Sequence, residues 1–234
     1  MFYRLALLIL TTRALYCADV SLGVQGGGPL GDFFRPGEVG GLNEGLIVYT
    51  SKSVPYTVGP TVEVHRLHSF GLEASFLYQR FHYSYSGFFI GSFSPGVTNV
   101  ASKTTGNAWS LPILLTYRPV LRLPIFFGAG PVVRNLQGLD QNVEYESTYS
   151  LGGPLITKTQ RTESGNPADL RKRWYPGVEF AAGWDFKLSK LRISPEIRYT
   201  RWTANIADRS SLQPPLQFPS NRIELVLDLC GRLN

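Results

Sequence analysis

Apolar and polar residues alternate with a period of two in eight segments of this chain, and that alternation predicts eight β-strands. Three of the connections between them are short, at 67–71, 119–123 and 189–190, and four are long, at 27–55, 84–107, 135–172 and 203–220. Long and short connections alternate along the chain. An up-and-down strand order therefore collects the short turns on one rim and the long loops on the other. The predicted strands are 20–26, 56–66, 72–83, 108–118, 124–134, 173–188, 191–202 and 221–230.

This one-sided distribution of loops is typical of outer-membrane β-barrels, which have short periplasmic turns and longer extracellular loops. The expected fold class is all-β: an eight-stranded antiparallel up-and-down transmembrane β-barrel. A chain of 234 residues is the size of one such domain. Its charged content of 17% and aromatic content of 13% suit a barrel with an apolar exterior. The sequence lacks any run of about 18 apolar residues, which excludes a transmembrane helix.

Each predicted strand has one apolar and one polar face, because side chains alternate across a strand. In the last strand Leu225 and Leu227 share one face, while Arg222 and Glu224 share the other. Charges of both signs on the polar face suit a closed interior, where each buried charge needs a partner. The predicted interior network consists of Glu63, Glu73, Arg118, Glu179, Arg192, Glu196, Arg198, Arg222 and Glu224.

Large aromatic residues fall near both ends of the predicted strands. Amphipathic rings prefer the headgroup levels of a membrane, so this placement predicts two aromatic girdles. The opposite orientation, a soluble lipocalin-like barrel with its apolar face inside, stays open as an alternative. With the N-terminus on the periplasmic side, the outer girdle comprises Tyr78, Trp109, Trp174 and Tyr199, and the inner girdle comprises Tyr117, Phe127 and Trp184.

Residues 1–18 are predicted to be a signal peptide, since Arg4 precedes a short apolar core and small residues follow near two possible cleavage sites. Cleavage after residue 14 or 18 leaves 19–234 as the barrel domain. The two cysteines, Cys17 and Cys230, do not make a disulfide framework, and Cys230 is expected to be a small buried residue.

The formal net charge of +6 is modest. No basic stripe with interleaved aromatic residues occurs, so nucleic acid is not an expected partner. The sharper interpretation of the positive charge is contact with lipopolysaccharide phosphates at the outer rim, and the simpler one is solvated loop charge. Several prolines fall inside predicted strands, and bulges or local twist are expected at Pro112 and Pro195 because proline cannot donate to a ladder.

Five stretches resemble successive strands of bacterial outer-membrane β-barrel proteins of the small OmpA/OmpX-like class: DVSLGVQGGGPLGDFF, YTVGPTVEV, WSLPILLTYRP, PIFFGAGPVVRNLQG and RISPEIRYTRW. The likeness covers nearly the whole predicted mature chain. It implies a monomeric barrel in the bacterial outer membrane, with extracellular loops, in contact with lipid and lipopolysaccharide and inserted by the outer-membrane assembly machinery. Such barrels usually end in an aromatic residue that this machinery recognises. This chain ends in Cys-Gly-Arg-Leu-Asn, so we expect an internal signal at 225–229, less efficient assembly, or a divergent chain.

Candidate chemistry is sparse. The sequence has no zinc-ligand spacing, phosphate loop or nucleophile elbow, and neither a cofactor nor a metal is predicted. His82 and Ser84 share a strand face, and a histidine beside a serine is a pattern that a lipid-acyl hydrolase could use. No acidic third partner follows at a convincing spacing, so the chain is predicted not to be an enzyme. The leading hypothesis is an outer-membrane barrel with a side-chain-filled polar interior and an envelope-structural or surface-contact role. The alternatives are a narrow channel or transporter for small solutes, a lipid-modifying enzyme and a soluble carrier.

Overall fold

The computed structural model describes residues 19–31, 37–41, 45–51, 56–67, 69–90, 96–119, 124–150, 156–166, 173–203 and 220–232. Within these ranges no helix is long and apolar enough to cross a membrane. The predicted signal peptide and most of the last long connection lie outside them. The described residues form one antiparallel sheet of thirteen strands: β1 Asp19–Pro29, β2 Gly37–Gly41, β3 Gly45–Ser51, β4 Thr57–Leu67, β5 Phe70–Ser75, β6 Leu77–Ile90, β7 Gly96–Tyr117, β8 Ile125–Ser150, β9 Ile156–Gly165, β10 Trp174–Trp184, β11 Phe186–Leu188, β12 Leu191–Trp202 and β13 Asn221–Arg232.

Eight strand positions close into a hydrogen-bonded ring, in the order β1, β4, β5 with β6, β7, β8, β10 with β11, β12 and β13. β1 closes the ring because Val24 lies opposite Pro60 of β4 on one side and opposite Leu229 of β13 on the other. The all-β antiparallel prediction and the up-and-down order of eight strands are confirmed. The connection from β4 to β5 and the turn at 189–190 lie on one rim, here called the short-turn rim, and the opposite end is the long-loop rim.

The ring is not a regular barrel, because prolines interrupt it. The break between β5 and β6 falls at Phe76, which lies opposite Pro60 on β4 and one residue beyond the position that faces Pro112 on β7. The Phe76 amide donates to the Pro60 carbonyl at 2.9 Å. The break between β10 and β11 falls at Asp185, beside Pro195 on β12. Of the bulges or local twist predicted at Pro112 and Pro195, the bulges do not occur, since the register runs past both prolines without a shift. A proline has no N–H for its neighbour, so the ladder fails in the neighbouring strand instead.

Part of the chain continues as strand beyond the long-loop rim. β6, β7 and β8 extend past the ring, and β2, β3 and β9 join them in the order β2-β3-β6-β7-β8-β9; the part of this sheet beyond the ring is called the projecting sheet. Segments predicted as the long connections 27–55, 84–107 and 135–172 are therefore partly β-structure. A hairpin satisfies its own backbone hydrogen bonds, so polar residues such as those of β9 can form strands without a long apolar pattern.

The ring and the projecting sheet have opposite polarity. In the ring, most large apolar side chains point outward and most polar ones inward, with Leu114 and Phe126 among the inward exceptions; Leu225 is 48% exposed while its neighbour Glu224 is buried. In the projecting sheet the inner face carries the large apolar residues, with Ser102 and Thr104 buried among them, and the outer face carries residues such as Lys103 and Asp140. The buried apolar cluster thus extends from the upper part of the ring into the projecting sheet. Its members are Phe81, Tyr83, Tyr85, Val100, Ala108, Val132, Leu136, Leu139, Val143, Tyr175 and Trp202, with Tyr145 packed against it.

Candidate functional site

The interior of the ring is filled by charged and polar side chains from almost every strand. Strand alternation directs them there: on β12 the even-numbered residues from Arg192 to Thr200 face inward, and on β13 the even-numbered residues from Arg222 to Cys230 do so. All nine residues of the predicted interior network lie inside the ring. Seven are buried, and Arg118 and Arg192 are partly buried towards the short-turn rim.

Arg198 is the centre of the middle cluster. Its guanidinium donates to Glu196 at 2.8 Å, to Glu179 at 3.1 Å and to Glu73 at 2.6 Å, and its side chain is 1% exposed. These carboxylates come from three different positions around the ring, so one arginine ties β5, β10 and β12 together. A planar guanidinium with five donors suits this task, which a single ammonium would perform less well.

Glu63 is the centre of a second cluster near the short-turn rim. Its side chain is fully buried and accepts hydrogen bonds from Arg118, at 2.6 Å, and from Arg192, while the His65 ring lies 3.0 Å away. Arg118 also donates to Asp185, at 2.7 Å. Two arginines shared between carboxylates balance the charge that burial would otherwise leave uncompensated.

Asp228 belongs to the same cluster but has one oxygen left over. Oδ2 accepts from Arg192 at 3.3 Å and from the Cys230 thiol at 3.1 Å, whereas Oδ1 is buried with no hydrogen-bond partner among the described residues. In Asp185, by contrast, both oxygens have a partner, because Oδ1 accepts from the Ser194 hydroxyl at 2.7 Å and Oδ2 from Arg118. Cys230 is free and buried, as expected from the sequence.

A third cluster lies towards the long-loop rim around Arg222. Its guanidinium contacts Glu224 at 2.7 Å and donates to Gln79 at 2.7 Å. Nearby, the Arg134 guanidinium lies over the Trp202 ring, 4.2 Å from the centroid, in a cation–π contact. A cavity of about 10 Å³ lies among these side chains, room for about one water molecule.

Sequence reasoning left several interior residues out of the predicted network. Asp185 and Asp228 lie on the inward parity of their strands, so the alternation itself was the signal that could have placed them. Arg134 is harder to place, because it falls at the end of a predicted strand. Gln25 and Gln79 carry no charge, yet each hydrogen-bonds a charged interior residue.

The seven aromatic residues of the predicted girdles lie on the outward face. Trp174 is the most exposed, at 65%, and Tyr78, Trp109 and Tyr199 are half-buried. Trp109 packs on Phe76 and on Tyr78, each with ring centroids 4.8 Å apart. At the other end of the ring, near the short-turn rim, Tyr117, Phe127 and Trp184 are exposed.

The residues considered for catalysis do not join the interior clusters. His82 is half-buried on the outward face of β6, as is Ser84. Among the described residues, no three or more histidine, cysteine, aspartate or glutamate side chains are grouped so as to hold a metal ion. The charged side chains of the interior pair with one another and fill the ring. No known family model matches the chain, and no match is found among curated proteins.

Proposed function

We propose that this chain is an integral protein of the bacterial outer membrane, with a filled polar interior and a structural or surface-contact role. The observation that carries the proposal is the inverted polarity of the ring. Apolar side chains such as Leu115, Ile197 and Leu225 are about half exposed, while arginines and glutamates are buried. A large continuous apolar exterior marks a surface that meets another apolar phase, and the acyl chains of a bilayer supply one.

The height of the apolar surface supports a membrane rather than a protein partner. On β7, outward residues from Tyr117 to Trp109 are apolar or aromatic, and polar Asn107 follows. Eight steps along a strand cover about 26 Å, or about 20 Å along the axis of a ring whose strands tilt by about 40°. Outer-membrane barrels have an apolar band about 25 Å tall, flanked by aromatic residues. The same band surrounds the ring, as expected for contact with lipid.

The filled interior supports a structural or contact role over transport. Three clusters of ion pairs occupy successive levels of the ring, centred on Glu63, Arg198 and Arg222. Above them the apolar cluster with Phe81 and Leu136 covers the long-loop end. Eight-stranded rings are just wide enough for side chains to fill. The proposal therefore leaves the projecting sheet as the part that meets other molecules, and it is consistent with the resemblance to small OmpA/OmpX-like proteins.

Fractionation of cells that export the chain tests the proposal. The protein should stay in the outer-membrane fraction after a wash with alkaline carbonate. It should also migrate differently in boiled and unboiled gel samples, since a closed ring leaves no edge from which to unzip. Recovery in the soluble fraction, with identical migration of both samples, would show that the ring is a soluble barrel. Single-channel conductance in planar bilayers would favour the narrow-channel alternative.

A further inference from the structure

The same group of three residues occurs twice on the outer surface of the ring. At the first position the Tyr78 hydroxyl donates to Asn107 Oδ1 at 2.7 Å, and Arg80 lies directly opposite Asn107 in the β6–β7 register. At the second, the Tyr199 hydroxyl donates to Asn221 Oδ1 at 2.9 Å. The residue directly opposite Asn221, in the β12–β13 register, is Arg201. In both groups the arginine comes two residues after the tyrosine on the same strand face.

The two groups lie at the same level on opposite sides of the ring. One spans the third and fourth strand positions and the other the seventh and eighth, so half the ring separates them. Each group stands at the edge of the apolar band nearest the long-loop rim, where Tyr78 packs against Trp109 with tilted rings and Tyr199 stacks with Phe180. This is the level at which a membrane's headgroups would begin.

The amide of each asparagine is oriented by its tyrosine. Because Oδ1 accepts the tyrosine hydroxyl, the Nδ2 donors of Asn107 and Asn221 are left for another acceptor. Each asparagine lies directly opposite an arginine in the ladder, and the guanidinium of that arginine carries further donors. A guanidinium and an amide N–H on one surface patch are suited to the oxygens of a phosphate group.

Neither arginine has an anionic partner of its own in the described part of the chain. The residues next to Arg80 on its outward face and across the ladder are Tyr78, His82 and Asn107, and none carries a carboxylate. Arg201 is exposed among Val178, Tyr199, Thr203 and Asn221, which carry none either. Some other exposed cations are paired: Lys158 with Glu146, Arg161 with Glu163 and Arg232 with Asp19. Lys103, Lys187 and Lys190 are exposed without an ion pair among the described residues, so Arg80 and Arg201 are distinguished by the asparagine that lies opposite each of them.

We propose that these two tyrosine–asparagine–arginine groups are binding sites for the phosphate groups of lipopolysaccharide lipid A in the outer leaflet. The inference rests on the proposed membrane location. The groups lie at the long-loop rim, which faces outward in that arrangement, and lipid A is the phosphorylated glycolipid of that leaflet. Each chain then holds two lipid A molecules, one on each side of the ring. The tyrosines act as positioning residues, and the asparagines and arginines touch the ligand.

Native mass spectrometry of the folded full chain in detergent, titrated with bis-phosphorylated lipid A, tests the sites. The wild type should bind up to two lipid A molecules per chain, and Arg80→Gln or Arg201→Gln should each remove one. The double variant should lose about tenfold or more in affinity, because hydrogen bonds to a charged group are lost. Tyr199→Phe should weaken the second site alone, since it frees the Asn221 amide without touching the charge. Arg232→Gln, at the other rim, is the matched control and should bind as the wild type does.

Three outcomes would overturn the inference: unchanged binding by the double variant, equal binding of dephosphorylated lipid A, or equal binding of phosphatidylglycerol. The difference in migration between boiled and unboiled samples separates these from a failure of the proposed function. If every variant keeps that difference while the double variant still binds two lipid A molecules, the sites are wrong and the membrane ring stands. If the wild type shows no such difference and is soluble without detergent, the proposed function fails first, and the sites fall with it.

Discussion

Arg198 is buried in the ring and pairs with three buried carboxylates. It is enclosed by Glu73, Glu179 and Glu196, so its charge compensates carboxylates that have little access to water. Strand alternation was enough to predict that Arg198 and Glu196 face the interior. It could not predict that Glu73, more than a hundred residues earlier, lies within 2.6 Å of the same guanidinium, because that contact depends on how the ring closes.

Removal of the Arg198 guanidinium should destabilise the ring strongly. We expect Arg198→Ala to lower the free energy of unfolding by about 3–5 kcal/mol, since it leaves buried carboxylates without a partner. Urea unfolding from detergent measures the effect. Arg201→Ala, on the same strand but exposed, is the control and should change stability by no more than about 0.5 kcal/mol.

A double-mutant cycle checks whether the cluster behaves as one network. Combining Arg198→Ala with Glu196→Gln should recover part of the loss, because one of the stranded charges is then gone. Strict additivity of the two changes would show that Arg198 and Glu196 do not share a network, and would contradict the structure's account of the interior.

At the scale of a single strand, β13 shows the inverted polarity most clearly. Ile223, Leu225, Leu227 and Leu229 are exposed, while the residues between them are buried. Leu225→Arg should cost about 2–4 kcal/mol in a bilayer, because it places a charge in the apolar band. Val226→Thr, one residue away on the inner face, should cost much less, since the interior already contains polar side chains. Stability of each variant refolded in lipid vesicles is the measurement. A larger loss for Val226→Thr than for Leu225→Arg would reverse the two faces.

The projecting sheet should unfold separately from the ring. Val143 is buried on its inner face, and Lys158 and Arg161 lie on the neighbouring edge strand β9. Val143→Asp buries an unpaired charge there, so it should open the projecting sheet and leave the ring intact. Trypsin added to intact cells should then cut near Lys158 or Arg161 much faster than in the wild type. First cleavage at Lys187 or Lys190, beside the short-turn rim, would invert the orientation in the membrane.

Strand positions in the ring were predictable, and the projecting sheet was not. Period-two alternation is strong where one face meets an apolar phase, and it located all eight ring positions. β9 contains few apolar residues, so it gave no such pattern. The prolines predicted that the ladder is irregular near them, and it is interrupted at Phe76 and Asp185, on strands next to those that carry Pro60 and Pro195. The position of each break depended on the neighbouring strand, which the sequence of one strand does not contain.

At the scale of the whole molecule, we expect the ring to lie in a bilayer with its apolar face outward. The tryptophans allow a direct test, because Trp174 and Trp184 are exposed near opposite rims while Trp202 is buried on the inner face. The measurement is quenching by brominated lipids of variants that keep one tryptophan each, refolded in vesicles. We expect strong quenching of Trp174 and Trp184 and little of Trp202. Unquenched Trp174 and Trp184, or quenching of Trp202 as strong as theirs, would contradict that expectation.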